Sequence, residues 1–174
     1  MASLPVLAQF QQHDRPQLIF NPPYSSNNRS IILPSDRIPN DFLGCSVGIT
    51  SEVDALKNIN KLGLKYSNQK QGPSDIITIS GDIECEGGKF PSFSMWFYNN
   101  KLWKICFNML LSDRNKIVNT LYQKYSKLLL STSGIESYKT YKYRGNGVDL
   151  VISGCLQYIV AGGSEGATET NPFY

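Results

Sequence analysis

SFSMWFYNNKLWKICFNMLLSDRNKIVNTLYQKYSKLLL, residues 92–130, contains a strand, a tight turn, a second strand and an amphipathic helix in succession. Phe93, Met95 and Phe97 alternate with Ser94, Trp96 and Tyr98, the period of a strand with one buried face. Asn99-Asn100 supplies a two-residue turn whose residues tolerate positive φ. Leu102, Trp103, Ile105, Cys106, Phe107 and Met109 continue the extended pattern. Ser112 and Asp113 are helix-start residues, and Ile117, Val118, Leu121, Tyr122, Tyr125 and Leu128 then recur at helical spacing.

Upstream, Thr50 stands as an N-cap before a helix over residues 51–62, with Val53, Leu56, Ile59 and Leu62 directed inward. Gly63 falls where a helix ends in the left-handed conformation, and Leu64 closes the hydrophobic contact of that motif. Residues 69–75 read as a polar loop. A strand follows over 76–84, with Ile77, Ile79 and Ile83 on one face and a turn at Glu86-Gly87-Gly88-Lys89. Downstream, residues 131–134 form a polar link and 138–144 alternate as a strand. Gly145-Asn146-Gly147 turns the chain, residues 148–153 return, and 156–161 form the last strand.

The pattern predicts an α+β fold: an antiparallel β-sheet of about six strands with two α-helices packed on one face, in tandem α-βββ repeats over 42–110 and 111–162. Lys101 to Ile105 and Cys155 to Ile159 are the best local match between the two units, a repeat of pattern more than of letters. Residues 1–41 are rich in proline, glutamine and asparagine without sustained periodicity, and are expected to form an extended or disordered arm. Residues 1–8 resemble the end of a secretory signal, which favours a secreted or periplasmic location, with a cytoplasmic one as the alternative. Residues 163–174 read as a flexible tail.

With a net charge of +3, the 174-residue chain carries too little positive charge, too thinly spread, to track phosphates, so nucleic acid is not an expected partner. No segment is apolar for long enough to span a bilayer as a helix. The four cysteines, Cys45, Cys85, Cys106 and Cys155, form no CxxC pair, and His13 is the one histidine, so neither a metal site nor a cofactor is expected. The cysteines allow either two disulfides or four part-buried thiols. His13 lies in the arm without a nucleophile at a supporting spacing, and Asp82, Glu84 and Glu86 flank a turn, where acidic groups are ordinarily solvated. The chain therefore does not read as an enzyme. Asn21-Pro22-Pro23-Tyr24 and Asn171-Pro172-Phe173-Tyr174 repeat an Asn-Pro-x-Tyr triplet-plus-tyrosine that chance explains in such a composition.

If Phe93, Met95 and Phe97 face the helices, Trp96 and Tyr98 face away, with Trp96 opposite Trp103 and Tyr98 opposite Lys101. Tyr141, Tyr143 and Tyr158 extend this aromatic surface in the expected partner-binding set. Leu18 to Phe20 of the arm are the alternative cover for it.

The order Phe42-Leu43-Gly44, Val47-Gly48-Ile49-Thr50, a short helix ending at Leu62-Gly63, then Phe97 to Ile105 and a helix ending near Lys124-Tyr125, carries a resemblance. It resembles the tandem helix-plus-sheet modules of the β-lactamase-inhibitor-protein-like class, to which outer-membrane assembly lipoproteins of the SmpA/OmlA type are similar. The resemblance covers residues 42–161 and implies an envelope or secreted location and a non-catalytic, protein-binding role as inhibitor, immunity or assembly factor. The chain departs from it in having no lipid-acceptor cysteine near the N-terminus and in carrying the proline-rich arm. The alternatives are a hydrolase-type enzyme with an unrecognised site and a structural subunit whose N-terminal arm adds to a neighbour.

Overall fold

The computed structural model describes residues 35–135 and 139–161. A short hairpin opens the described chain, β1 (Asp41–Phe42) with β2 (Cys45–Ser46), turned at Leu43 and Gly44, both at positive φ. Helix α1 (Glu52–Lys61) follows. A meander of β3 (Tyr66–Gln71), β4 (Ser74–Cys85), β5 (Gly88–Tyr98) and β6 (Lys101–Phe107) comes next. Helix α2 (Arg114–Tyr125) then precedes β7 (Leu129–Ser133), β8 (Thr140–Gly145), β9 (Val148–Ile152) and β10 (Leu156–Val160). The meanders join edge to edge in one antiparallel sheet of order β3-β4-β5-β6-β10-β9-β8-β7.

The α+β class, the antiparallel sheet and the two helices match the expectation from sequence, but the sheet has eight strands among the described residues, not six. The two additions are the outermost strands. β3 is exposed at every position and β7 at all but its first, so neither carries the apolar alternation that marks a half-buried strand. Their backbones are recruited by pairing with β4 and β8. Each helix therefore precedes four strands in place of three.

One face of the sheet meets both helices. Ile77, Met95, Ile105, Tyr158, Leu150 and Tyr143 form one rung of it, and Ile79, Phe93, Phe107, Leu156 and Ile152 the next. These residues share a single core with Ala55 and Ile59 of α1 and Ile117, Leu121 and Tyr125 of α2. Ile38 and Phe42 belong to it too, so the core takes in Ile38 from the end of the stretch read as an arm, along with the first residue after that stretch. The rest of that arm and the tail lie outside the described residues.

α1 is rotated relative to the expected face. Ala55 and Ile59, four residues apart, point inward with Leu56 beside them, while Val53 is 56% and Leu62 41% exposed. The small Ala55 lets the helix sit close, and the Asn58 side-chain amide donates to the Gly44 carbonyl at 2.8 Å, fixing the rotation against the first hairpin. Ser51 and not Thr50 is the N-cap: its hydroxyl accepts the Asp54 N–H at 3.1 Å. Thr50 instead accepts the Ser46 N–H at 2.7 Å. At the other end Leu64 N–H donates to Ile59 O and Gly63 N–H to Asn60 O, with Gly63 at φ +66°. This is the paired C-terminal closure that the Leu62-Gly63-Leu64 sequence implies.

A buried carboxylate pins the two halves together. Glu86, in the β4–β5 turn, accepts from Lys124 Nζ at 3.1 and 3.2 Å, from the Tyr125 hydroxyl at 2.9 Å and from the Tyr158 hydroxyl at 3.1 Å. Burial first, and then the neighbouring Glu86 charge, push both phenols well above their ordinary range, so both keep the proton that they donate to Glu86.

Two substitutions test these locks. Gly63→Val forces a β-branched residue to positive φ and should cost about 1–2 kcal/mol, read as a lower urea midpoint at unchanged slope. Glu86→Ala strands Lys124 and two buried hydroxyls and should cost about 3 kcal/mol. Glu84→Ala, which breaks an exposed pair with Lys89, should cost less than about 1 kcal/mol.

Candidate functional site

The face away from the helices is built by the same strands at the opposite parity. One rung runs Ile76, Trp96, Lys104, Ile159, Asp149, Arg144; its neighbour runs Thr78, Ser94, Cys106, Gln157, Val151, Lys142. Ile76 and Ile159 are the two buried apolar residues of the described chain that stand apart from the helix-side core.

Trp96 points to this outer face, as the alternation of Phe93, Met95 and Phe97 requires, and those three are buried. Trp103 joins it for a reason the alternation hides. The register shifts between Trp96 and Phe97: Trp96 pairs with Lys104, Phe97 with Leu102, and Trp103 is the extra residue of a β-bulge. The bulge lets Leu102 and Ile105 both point inward while Trp103 and Lys104 both lie on the outer face. Tyr98 pairs with Lys101 at the hairpin end, and both are exposed.

The two indoles meet edge to face, with centroids 6.4 Å apart. Lys104 Nζ lies between them, 3.7 Å from the Trp96 ring centroid and 4.8 Å from that of Trp103. Burial lowers the Lys104 ammonium below its ordinary range. Trp96 Nε1 and Trp103 Nε1 are buried without a hydrogen-bond partner among the described residues.

Tyr143 and Tyr158 are corrections to the expected surface. Both lie in the helix-side core, because Tyr143 shares its rung with Leu150 and Met95, and Tyr158 is held by Glu86 and packed on Phe42 and Phe107. Burial also pushes the Tyr143 phenol up to about 12. Tyr141 packs against the same core at half burial. The outer positions at that end of the sheet belong to Lys142, Arg144 and Asp149. The fully buried Asp149 carboxylate accepts from Arg144 Nε at 2.6 Å and Nη2 at 2.9 Å, with Lys142 Nζ at 3.3 Å. Two of the outer-face cations are thus tied to an anion.

The four cysteines fall into two pairs by their place in the fold. All four are free thiols. Cys45 and Cys85 are buried, and burial raises both. Cys106 and Cys155 are half-buried on the outer face with their sulfurs 3.1 Å apart. Among the described residues no group of three or more His, Cys, Asp or Glu side chains is arranged to hold a metal ion. No helix among them is long and apolar enough to cross a membrane.

Fold and site together define an α+β protein whose eight-stranded sheet is backed by two helices and carries a tryptophan–lysine cluster on its other side. No family model matches the chain, and no solved structure matches it. Among curated proteins it is similar to the DNA repair protein RAD5 of Eremothecium gossypii, with 25% identity over 114 residues. That match takes in 63% of this chain and 10% of the relative, so the chain spans about a tenth of the protein it matches.

A double-mutant cycle tests the lysine sandwich. Trp96→Ala, Lys104→Ala and the double variant should show a coupling of about 1 kcal/mol in urea unfolding. Lys57 and Tyr122, both exposed on the helices, should show none.

Proposed function

We propose that this chain is a non-catalytic binding module that takes a protein partner on the outer sheet face, around Trp96, Trp103, Lys104 and Tyr98. The observation behind it is the tryptophan–lysine cluster on the face opposite both helices. Large rigid rings beside an apolar-stemmed cation are typical anchors of a protein interface. Two indole N–H donors without partners among the described residues add to the case: a small ring rotation against a peptide surface would give each a carbonyl acceptor. The halves, each a helix followed by four strands among the described residues, support the tandem helix-plus-sheet arrangement that the sequence resembles.

A second reading comes from the likeness to a DNA repair protein. Tryptophans on a sheet with lysine and arginine nearby are also a platform on which single-stranded bases stack. Two features favour protein over nucleic acid: Lys104 covers the Trp96 ring, and Lys142 and Arg144 are held by Asp149.

Partner capture from extracts of the source cells, with wild type, Trp103→Ala and Tyr98→Ala, tests the first reading, with Tyr122→Ala on α2 as control. Loss of the same partner in the two outer-face variants alone is the expected outcome, and equal capture by all four overturns it. Fluorescence anisotropy with a labelled single-stranded oligonucleotide tests the second. Binding that weakens with salt and is lost in Trp103→Ala would move the site to nucleic acid.

A further inference from the structure

The sheet seam brings together two sulfurs that nothing in the proposed binding role uses. Cys106 lies on β6 and Cys155 just before β10, in the turn that follows β9. Cys106 pairs in register with Gln157, so Cys155, two residues earlier, comes to the same face diagonally across the seam. The sulfurs sit 3.1 Å apart, closer than two unbonded sulfurs ordinarily rest, and a disulfide needs about 2 Å. Both side chains are half-buried on the outer face, whereas Cys45 and Cys85 are sealed in the core.

We propose that Cys106 and Cys155 are a thiol-modification site, a reversible dithiol–disulfide pair in which Cys155 attacks and Cys106 resolves, with a small disulfide such as oxidised glutathione as co-reactant. The environment divides the roles. Cys155 accepts a hydrogen bond from the Cys106 thiol and another from the Gln157 side-chain amide at 2.8 Å. The Lys104 ammonium adds its charge. The hydrogen bond from Cys106 comes first among the causes that bring Cys155 down to about 6. Giving that same hydrogen bond, and then burial, push Cys106 up. Cys155 is therefore the more readily ionised of the two and the better placed to attack, and Cys106 keeps its proton until the second step.

The Cys155 thiolate attacks one sulfur of oxidised glutathione, forming a Cys155–glutathione mixed disulfide and releasing one glutathione thiolate. The Cys106 thiol gives its proton to that leaving thiolate or to water. Its sulfur attacks Cys155, breaking the mixed disulfide and releasing the second glutathione. Counted from the dithiol, the protein loses two electrons and two protons, the Cys155 proton reaching a glutathione thiolate through solvent, and oxidised glutathione becomes two molecules of glutathione. The new bond ties β6 to the start of β10 across the line where the two meanders meet.

The full-length protein, reduced and then equilibrated over a series of oxidised-to-reduced glutathione ratios, is blocked with N-ethylmaleimide in denaturant and mapped by mass spectrometry. Two of the four thiols should be lost together, with a linked Cys106–Cys155 peptide and with Cys45 and Cys85 still alkylated. The oxidised form should melt several degrees higher. Cys106→Ser should trap glutathione on Cys155, and Cys155→Ser should take up glutathione on Cys106 at least about tenfold more slowly. Equal uptake by the two variants, a linkage through Cys45 or Cys85, or four thiols that stay reduced at every ratio would each overturn the assignment. None of these readouts depends on a partner, so the binding role can fail without it.

Discussion

Phe107 stands at the place where the two halves of the sheet have to agree. Its ring meets Phe93 and Phe90 from β5, Phe42 from the first hairpin and Tyr158 from β10, at centroid distances of 5.3–5.9 Å. Its backbone pairs with Phe93 on one side and Leu156 on the other. The ring therefore packs onto both meanders at once, and the seam between β6 and β10 is glued by a buried aromatic cluster as well as by ladder hydrogen bonds. Removing such a ring from a core typically costs about 3–5 kcal/mol. Here the loss would fall on the one junction that makes a single sheet out of two. Glu86 reinforces it from the edge: a turn of the first meander is hydrogen-bonded to α2 and to β10.

The bulge at Trp103 follows from that demand. Phe107 and Ile105 must point inward for the seam to pack, and Leu102 must as well, since it fills the end of the core near the first hairpin. Leu102 and Ile105 are three residues apart, an odd number, which a regular strand cannot place on one side. One extra residue resolves the conflict. Its by-product is two consecutive outward side chains, Trp103 and Lys104, beside Trp96. The outer cluster is thus a consequence of core packing on the inner side.

Much of this architecture was legible because the hydrophobic period was clear: the Phe93-Met95-Phe97 strand, the Asn99-Asn100 turn and the Gly63 stop all carry local signals strong enough to survive folding. Other features were less plainly written. β3 and β7 have no apolar alternation, because edge strands need only a neighbour's backbone. Trp103 carries two conflicting signals: pairing across the turn sets it outward opposite Trp96, while parity with Ile105 and Phe107 puts it inside, and only the shifted register decides between them. Tyr143 and Tyr158 look like surface anchors by type, but their hydroxyl-bearing rings fit the core; Tyr158 does so because Glu86 meets its hydroxyl there, a contact between residues 72 positions apart that no local pattern reports. The Cys106–Cys155 pair is hidden for the same reason, since it exists only once β6 and β10 are neighbours.

The two sides of the sheet differ in how fully their polar groups are served. On the helix side the buried Glu86 carboxylate has partners on both oxygens, and the hydroxyls of Tyr125 and Tyr158 are spent on it; only the Tyr143 hydroxyl goes without among the described residues. On the outer side two indole donors are buried without acceptors among the described residues, and a half-buried ammonium is held over their rings, below its ordinary range. The unmet indole donors and the desolvation of the ammonium each carry a free-energy cost, the second offset in part by the rings that the ammonium lies over. A fold consistent at every other level concentrates such costs where something outside the fold is expected to meet them. The uneven distribution bears on the proposed binding face more than aromatic content does, because the helix side holds more rings and leaves fewer of its polar atoms unmet among the described residues.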